Sequence, residues 1–466
     1  MQPPADSNRP RNHVESSAGT VVLIGASIRS AAQSAKRAGF QVLGIDHFGD
    51  VDTRQACREF WILNEFATNP ELISRLRKFP HFVVGGLNAA HDLTGLRLTS
   101  PATETHSPAK EAGSNVACPP SNPNSDRWAD MNWLEKMSEE CGLGFPNTFH
   151  SLTPNAEPPL IPGKRWLRKT KQSCGGLGVR WHTPTAPSKP AGSGKESVLG
   201  NTGTPSPEAI LQSETRDSHS QLFQEWIPGR PHGVTFICNG KDCRLLGVCR
   251  SLFTRLGDLP FVYRGSFGPV NIPVALRQRL QNLGLNITRE SGHRGLLNID
   301  VVIDRTGKTF VLEVNPRWSG SSELIERWMQ DRKLTVSLFR AMFEAFDGSP
   351  LDSFNHFLNE TPNSPGTPWS VGPRYLKRIV FARHKFQFSR ERLASSNNTS
   401  DNLLNQPTLC DFPAEGTWIS AGEPICTLVS QIPSEASGNS TGSDKEKGPM
   451  HQHRAFLRRL FESAHV

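Results

Sequence analysis

Residues 297–317 read LNIDVVIDRTGKTFVLEVNPR, and this stretch decides the fold. Two runs rich in β-branched and aliphatic residues flank Asp304-Arg305-Thr306-Gly307, a turn signal, so the segment predicts a β-hairpin. Asp300 lies inside the first strand, and Glu313 and Asn315 stand two apart at the end of the second. Alternation along a strand puts Glu313 and Asn315 on one face. Pairing about Arg305 and Thr306 brings Asp300 to that same end. Three oxygen donors gathered there suit magnesium, which takes a few protein oxygens and completes its shell with water and substrate phosphates. Two carboxylates held in a β-rich hairpin without a cation would be costly, which favours a metal site over a purely structural one.

Upstream, residues 166–179 read WLRKTKQSCGGLGV. A short strand ending in Lys169 leads into a loop that holds Gly175, Gly176 and Gly178. Such glycines let backbone N–H groups approach phosphate oxygens closely, and a nearby lysine adds a point charge. Alone, the segment reads equally well as an ordinary turn beside a surface lysine. Residues 221–229, QLFQEWIPG, form an apolar strand closing on a proline–glycine turn. Extended backbone across Glu225, Trp226 and Ile227 can offer alternating C=O and N–H groups to an adenine edge, although a plain strand and turn has the same pattern. The order of the three segments carries more information than any one of them.

Taken together they resemble the ATP-grasp superfamily over roughly residues 126–330: a lysine before a Gly-Gly-x-Gly loop, a Glu-aromatic-aliphatic-x-Gly hinge, and an Asp…Glu-x-Asn-x-Arg metal signature. The resemblance implies a ligase that activates a carboxylate with ATP and magnesium, with manganese as the alternative ion, before an amine attacks. It implies Lys169 near adenine and the α-phosphate, the loop at 174–178 over the β- and γ-phosphates, and main-chain adenine contacts at Glu225 and Ile227. Asp300 and Asn315 would each bind one metal ion, Glu313 would bridge two, and Arg317 would meet the transferring phosphate, with Arg250 also facing the phosphates. There are departures. His232 stands where many members carry a ribose-binding carboxylate, Asn298 where some carry a catalytic arginine, and Arg127 is the nearest substitute for an upstream lysine. Residues 27–35, 44–53, 263–269 and 315–324 are similar to a branch that includes tyramine–glutamate ligases. That similarity implies amine or amino-acid ligation in cofactor biosynthesis linked to one-carbon metabolism.

Outward from this core, the reading is α/β and α+β with several domains. Residues 20–98 alternate strands and helices, as a parallel-sheet domain preceding an ATP-grasp domain would. A two-lobed ATP-grasp domain is expected over 126–345, and a small β-rich module over 346–466. Residues 1–19 read as a loose tail. Polar stretches at 99–125, 183–220, 352–369, 391–408 and 431–449 are too poor in apolar residues to build a core. A basic amphipathic helix is expected near 453–461.

Bulk properties fit. A length of 466 residues suggests about three domains, and the net charge of +8 suits a nucleotide triphosphate. No long basic run or repeated aromatic–basic motif supports nucleic-acid binding. No apolar run suits a membrane span, and the polar N-terminus lacks a signal-peptide core, so a cytoplasmic protein acting on small carboxylate and amine substrates is expected. Nine cysteines, an odd number, argue against a disulfide framework. Two rival functions remain at this stage. One is a regulatory nucleotide binder without turnover. The other is a dinucleotide-dependent oxidoreductase, argued from the glycine after the strand at 21–24 and from Asp46.

Overall fold

A computed structural model of the chain describes residues 19–67, 69–85, 130–151, 161–170, 174–183, 221–333, 337–357, 373–389 and 407–432, together with Trp128, Pro158 and His451. The tail before Gly19, the linker at 99–125, most of the polar stretches, Arg127 and the helix expected near 453–461 lie outside the described residues.

The first unit runs β1 (Thr20–Gly25), α1 (Arg29–Arg37), β2 (Gln41–Asp46), α2 (Val51–Ala56), β3 (Glu59–Ile62), α3 (Leu63–Ala67), α4 (Pro70–Leu76) and β4 (His81–Val84). Its sheet is parallel throughout, in the order β3-β2-β1-β4. Both faces are covered, which explains the unbroken apolar runs. Val21 and Leu23 point into the main core, whereas Val22 and Ile24 pack with Leu63, Phe66 and Leu72. β3 was not legible beforehand, because Glu59–Ile62 is a short edge strand, half-buried along its length.

The second unit contains α5 (Met131–Glu140) and a small antiparallel sheet of β5 (Thr148–Ser151), β6 (Trp166–Lys169), β7 (Val179–Trp181) and β8 (Gln221–Glu225), ordered β5-β8-β6-β7. It continues through β9 (Gly229–Asn239), β10 (Cys243–Leu256), β11 (Leu259–Gly268), α6 (Val274–Ser291), β12 (Arg294–Asp304), β13 (Thr309–Asn315), α7 (Ser322–Asp331) and α8 (Leu338–Phe346). The remaining elements are β14 (Arg374–Phe381), β15 (Phe386–Gln387), β16 (Thr408–Cys410), β17 (Trp418–Ile419) and β18 (Pro424–Ile432).

The C-terminal strands do not stand apart. The large sheet runs β13-β12-β9-β10-β11-β14-β18-β16, so β14, β18 and β16 extend the sheet that carries the hairpin, and among the described C-terminal strands only β15 and β17 pair separately. The polar stretch expected at 352–369 begins with a 3-10 turn, Asp352–Phe357, that buries Phe354.

Aromatic rings join the parallel sheet to the large one. Phe40 and Phe82 meet Phe339 at centroid distances of 5.5 and 5.3 Å, and both also contact Phe343. Burying one such ring contributes about 1.5–3 kcal/mol. Beside them lies a buried ion network. The Arg29 guanidinium donates to both Glu323 oxygens at 2.9 and 2.7 Å and to Asp411 Oδ1 at 2.7 Å, while Lys377 donates to Glu323 at 2.9 Å. α1, α7, β14 and the residue after β16 therefore share one electrostatic knot.

Candidate active site

The hairpin forms as its sequence implies, with a specific register. β12 and β13 pair antiparallel so that Asn298 faces Asn315 and Asp300 faces Glu313, with a bulge just after Asp300. Directly opposed residues share a face of the sheet, so two carboxylates and two amides converge. Asn315 Nδ2 donates to Asp300 Oδ2 at 2.9 Å and to Glu313 Oε1 at 3.3 Å, and Asn298 Nδ2 donates to Asp300 Oδ1 at 2.9 Å. Arg317 donates to Asn315 Oδ1 at 2.9 Å.

Burial first, then the Glu313 charge, pushes the Asp300 carboxyl up to about 7. Burial would raise Glu313 as well, yet the Lys169 ammonium and the hydrogen bonds it receives hold it below the usual range. The Glu313 side chain is open to solvent, with 48% of it accessible. The pair has the chemistry of a hard-cation site: facing oxygens, one proton too easily held, and positive groups pressed against them. The Asn315 amide nitrogen, rather than its oxygen, points at the carboxylates; a half-turn of the amide exchanges the two and presents the oxygen as a ligand. Asp300, Glu313 and Asn315 fit magnesium.

The small lobe meets this hairpin at Lys169. Its Nζ lies 3.8 Å from Glu313 Oε2, and its side chain is only 15% accessible. The glycine loop behind it rests on β11: Tyr263 N donates to Gly175 O at 2.8 Å. Gly176 has φ +79°, and a Cβ there would stand 1.8 Å from Phe261 O, so only glycine allows this approach. Gly178 O accepts from Thr170 N at 3.0 Å, closing the loop onto the strand that carries Lys169.

At the hinge, Glu225 N donates to Asn147 O and Trp226 N to Arg165 O, both at 2.8 Å. The Glu225 carboxylate pairs with Lys164 at 2.9 Å. Trp226 belongs to an aromatic box in which the Arg165 guanidinium lies 3.7 Å over Trp181 and 5.2 Å from Trp226. The Ile227 N–H makes no hydrogen bond with any described residue, which leaves it free to meet a base edge. Trp226 therefore shapes the hinge through its ring, while its N–H is already committed.

Arg250, expected to face the phosphates, sits differently. Arg250 is registered with His232, and His232 with Val301, whereas Asp300 is registered with Gly233. By strand alternation Arg250 belongs to the sheet face opposite Asp300 at this level. His232 is buried, its Nδ1 2.9 Å from Arg230 O, and burial drops its pKa to about 4. A neutral ring tied to the backbone is no substitute for a ribose-binding carboxylate.

A group of hydroxyls behind the hairpin escaped sequence reasoning. Asn298 Oδ1 accepts from Thr235, Ser319 and Ser321 at 3.2–3.3 Å. It thereby fixes the amide that orients Asp300. The signal available was the hydroxyl-rich run after Arg317, but its partner Thr235 is 63 residues from Asn298. Asp46, offered for a dinucleotide, accepts from the N–H groups of Ile28, Phe48 and Gly49 at 2.9, 2.6 and 2.8 Å. It clasps a loop, with little capacity left for a ribose.

Residues 125–321 match the family described as the ATP-grasp domain. No curated protein matches the chain. Among solved structures, an L-amino acid ligase from Bacillus licheniformis is similar at 12% identity, covering 94% of this chain and 97% of that one, with a TM-score of 0.56. An N5-carboxyaminoimidazole synthase from Aspergillus clavatus, in complex with ADP and 5-aminoimidazole ribonucleotide, is similar at 10% identity, with 94% and 98% covered and a TM-score of 0.54. An N5-carboxyaminoimidazole synthetase from Staphylococcus aureus gives 12%, 94%, 98% and 0.53. At such identities the likeness is one of fold, and it spans nearly the whole chain. Residues 125–321 of the chain carry an ATP-grasp domain.

Proposed function

We propose that the chain is an ATP- and magnesium-dependent carboxylate–amine ligase that works through an acyl phosphate. The observation that carries this reading is the convergence of Asp300, Glu313 and Asn315 from the large lobe with Lys169 from the small one, 3.8 Å from Glu313. Magnesium bound at those three residues would neutralise phosphate oxygens and draw the terminal phosphoryl group toward transfer. Lys169 adds a fixed positive charge on the small-lobe side. Arg317, held beside Asn315, stabilises charge on the transferring phosphoryl and on the acyl phosphate that forms when a carboxylate oxygen attacks it. The Ile227 N–H and the Glu225 carbonyl read the adenine edge. An amine then attacks the acyl carbon, forms the C–N bond and releases phosphate.

The branch resemblance favours an amine or amino-acid substrate, within cofactor biosynthesis linked to one-carbon metabolism. No helix among the described residues is long and apolar enough to cross a membrane. The test is chromatography of reactions with ATP, magnesium and a panel of acids and amines. ADP and phosphate should appear in equal amounts with an amide product. AMP with pyrophosphate would replace this mechanism by adenylation, and ATP binding without any product would leave a regulatory nucleotide binder.

A further inference from the structure

Each carboxylate oxygen of Asp300 accepts a hydrogen bond from a different amide. Asn298 Nδ2 lies 2.9 Å from Oδ1, and Asn315 Nδ2 lies 2.9 Å from Oδ2. The two amides differ in what stands behind them. Among the described residues, Asn315 Oδ1 accepts from Arg317 alone. Asn298 Oδ1 accepts from the hydroxyls of Thr235, Ser319 and Ser321, and all four residues are buried.

Those hydroxyls are tied to one another. Ser319 Oγ stands 2.9 Å from Ser321 Oγ and 3.2 Å from Ser322 Oγ, and Thr235 Oγ1 stands 3.3 Å from Ser321 Oγ. The cage has little slack. A Cβ on Gly233, the β9 residue registered with Asp300, would lie 3.2 Å from Asn298 Oδ1 and 3.4 Å from Ser321 Oγ.

The carboxylate decides which way the Asn298 amide points. Hydroxyls can donate or accept, so the cage alone would tolerate either orientation. A half-turn of Asn298, however, would set its oxygen against Asp300 Oδ1, exchanging a charge-assisted hydrogen bond for a repulsion in a buried site. Three donors on its own oxygen then hold the amide in place. Oδ1 of Asp300 is therefore permanently occupied. Oδ2, whose partner Asn315 has no such cage behind it, is the oxygen that remains for a ligand.

One oxygen per carboxylate matters for the choice of ion. Magnesium and manganese take near-octahedral shells of single oxygens, whereas the larger calcium also accepts both oxygens of one carboxylate. The cage reaches the phosphate side as well. Ser319 and Ser321 belong to the loop that follows Arg317, and Trp318 in that loop donates to Ser30 Oγ at 3.0 Å. A single buried amide thus joins β9, β12 and the loop that begins at Arg317.

We propose that Asn298 is a positioning residue of the cation site: it holds Oδ1 of Asp300 so that Oδ2 alone is offered to the ion, and the hydroxyl cage fixes it in that task. The proposal rests on the magnesium site of the ligase reading, and its test needs binding, not turnover.

The full chain is titrated with manganese in the presence of ADP, and the free ion is counted from its paramagnetic resonance signal; calcium is then added as a competitor. Asn298→Leu, similar in volume but with neither donor nor acceptor, should bind manganese about ten- to a hundredfold more weakly, the usual cost of removing a partner behind a metal ligand. It should lose less affinity for calcium, because Oδ1 is released. Thr235→Val removes one hydroxyl of the cage without touching Asp300, and should shift both ions in the same direction by a smaller factor. In both variants ADP affinity in EDTA, read by calorimetry, should match the wild type. Wild-type manganese affinity in either variant, or equal losses for the two ions, would overturn the proposal. If Asn298→Leu does not fold, Thr235→Val decides it alone. A wild type that binds manganese but forms no product sinks the ligase reading and leaves Asn298 in its role; one that binds no manganese overturns both.

Discussion

Glu323 and Glu313 are both glutamates pressed against positive groups, yet the molecule treats them in opposite ways. Glu323 is 4% accessible and surrounded by donors: Arg29 on both oxygens, Lys377 at 2.9 Å and Arg327 at 3.1 Å. Burial would raise its pKa, but Arg29 and Lys377 hold it well below the ordinary value. Glu313 opens into a cleft, has one lysine at 3.8 Å, and faces a second carboxylate that is driven up to about 7. The first arrangement is satisfied by the protein alone. The second leaves two facing carboxylates that the protein's own cations answer only in part. Charge that the fold neutralises serves assembly, and charge that it leaves open serves a ligand.

Three substitutions test that contrast. The largest effect should come from Glu323→Gln, which leaves Arg29 and Lys377 buried without their shared counter-ion. A loss of about 3–5 kcal/mol in stability is expected, read from denaturant melts. The pH dependence has a definite sign. Because the folded pKa of Glu323 is depressed, its contribution is fully present above the unfolded value of about 4.3 and fades as pH falls through the lower folded value. The variant should therefore lose part of the wild-type acid sensitivity below about pH 4. A variant as stable as wild type would show that the knot is incidental.

Glu313→Gln should do the reverse. Turnover should fall by roughly 10²–10³-fold, comparable to removing a key electrostatic stabiliser, and excess magnesium should not fully restore it. Stability should hold or rise, since a repulsion with Asp300 is removed. Near-normal activity at ordinary magnesium would refute the metal assignment.

Lys169→Ala is the mildest of the three. Losing one charge-assisted contact of about 1.5–3 kcal/mol should weaken ATP binding by about ten- to a hundredfold, with the melting temperature preserved. Unchanged affinity by calorimetry would remove Lys169 from the phosphate side of the cleft.

Much of the fold was legible because it rests on local pattern. The unbroken apolar runs of β1 and β2 announced a sheet covered on both faces, and the turn at Asp304–Gly307 announced the hairpin. The C-terminal strands were legible as strands but not as part of the large sheet. Their pairing of Gly265–Gly268 with Arg378–Tyr375 joins segments more than a hundred residues apart, and no local period records it. Arg250 is the converse case. The superfamily resemblance implied Arg250 at the phosphates, while its register with His232 puts it on the sheet face opposite Asp300.

The sequence by itself determined that a hairpin would carry Asp300, Glu313 and Asn315 on one side, that a lysine would precede a glycine loop, and that a Glu–Trp–Ile hinge would follow. These depend on alternation, turn chemistry and order along the chain, all of which act over a few residues. Tertiary structure alone decided which charges are answered and which are left open. Arg29 meets Glu323 across 294 residues, and Asn298 meets Thr235 across 63. Electrostatic compensation is a property of positions in space, set by how packed elements bring distant side chains into a medium with little water. A single strand or helix does not contain that information.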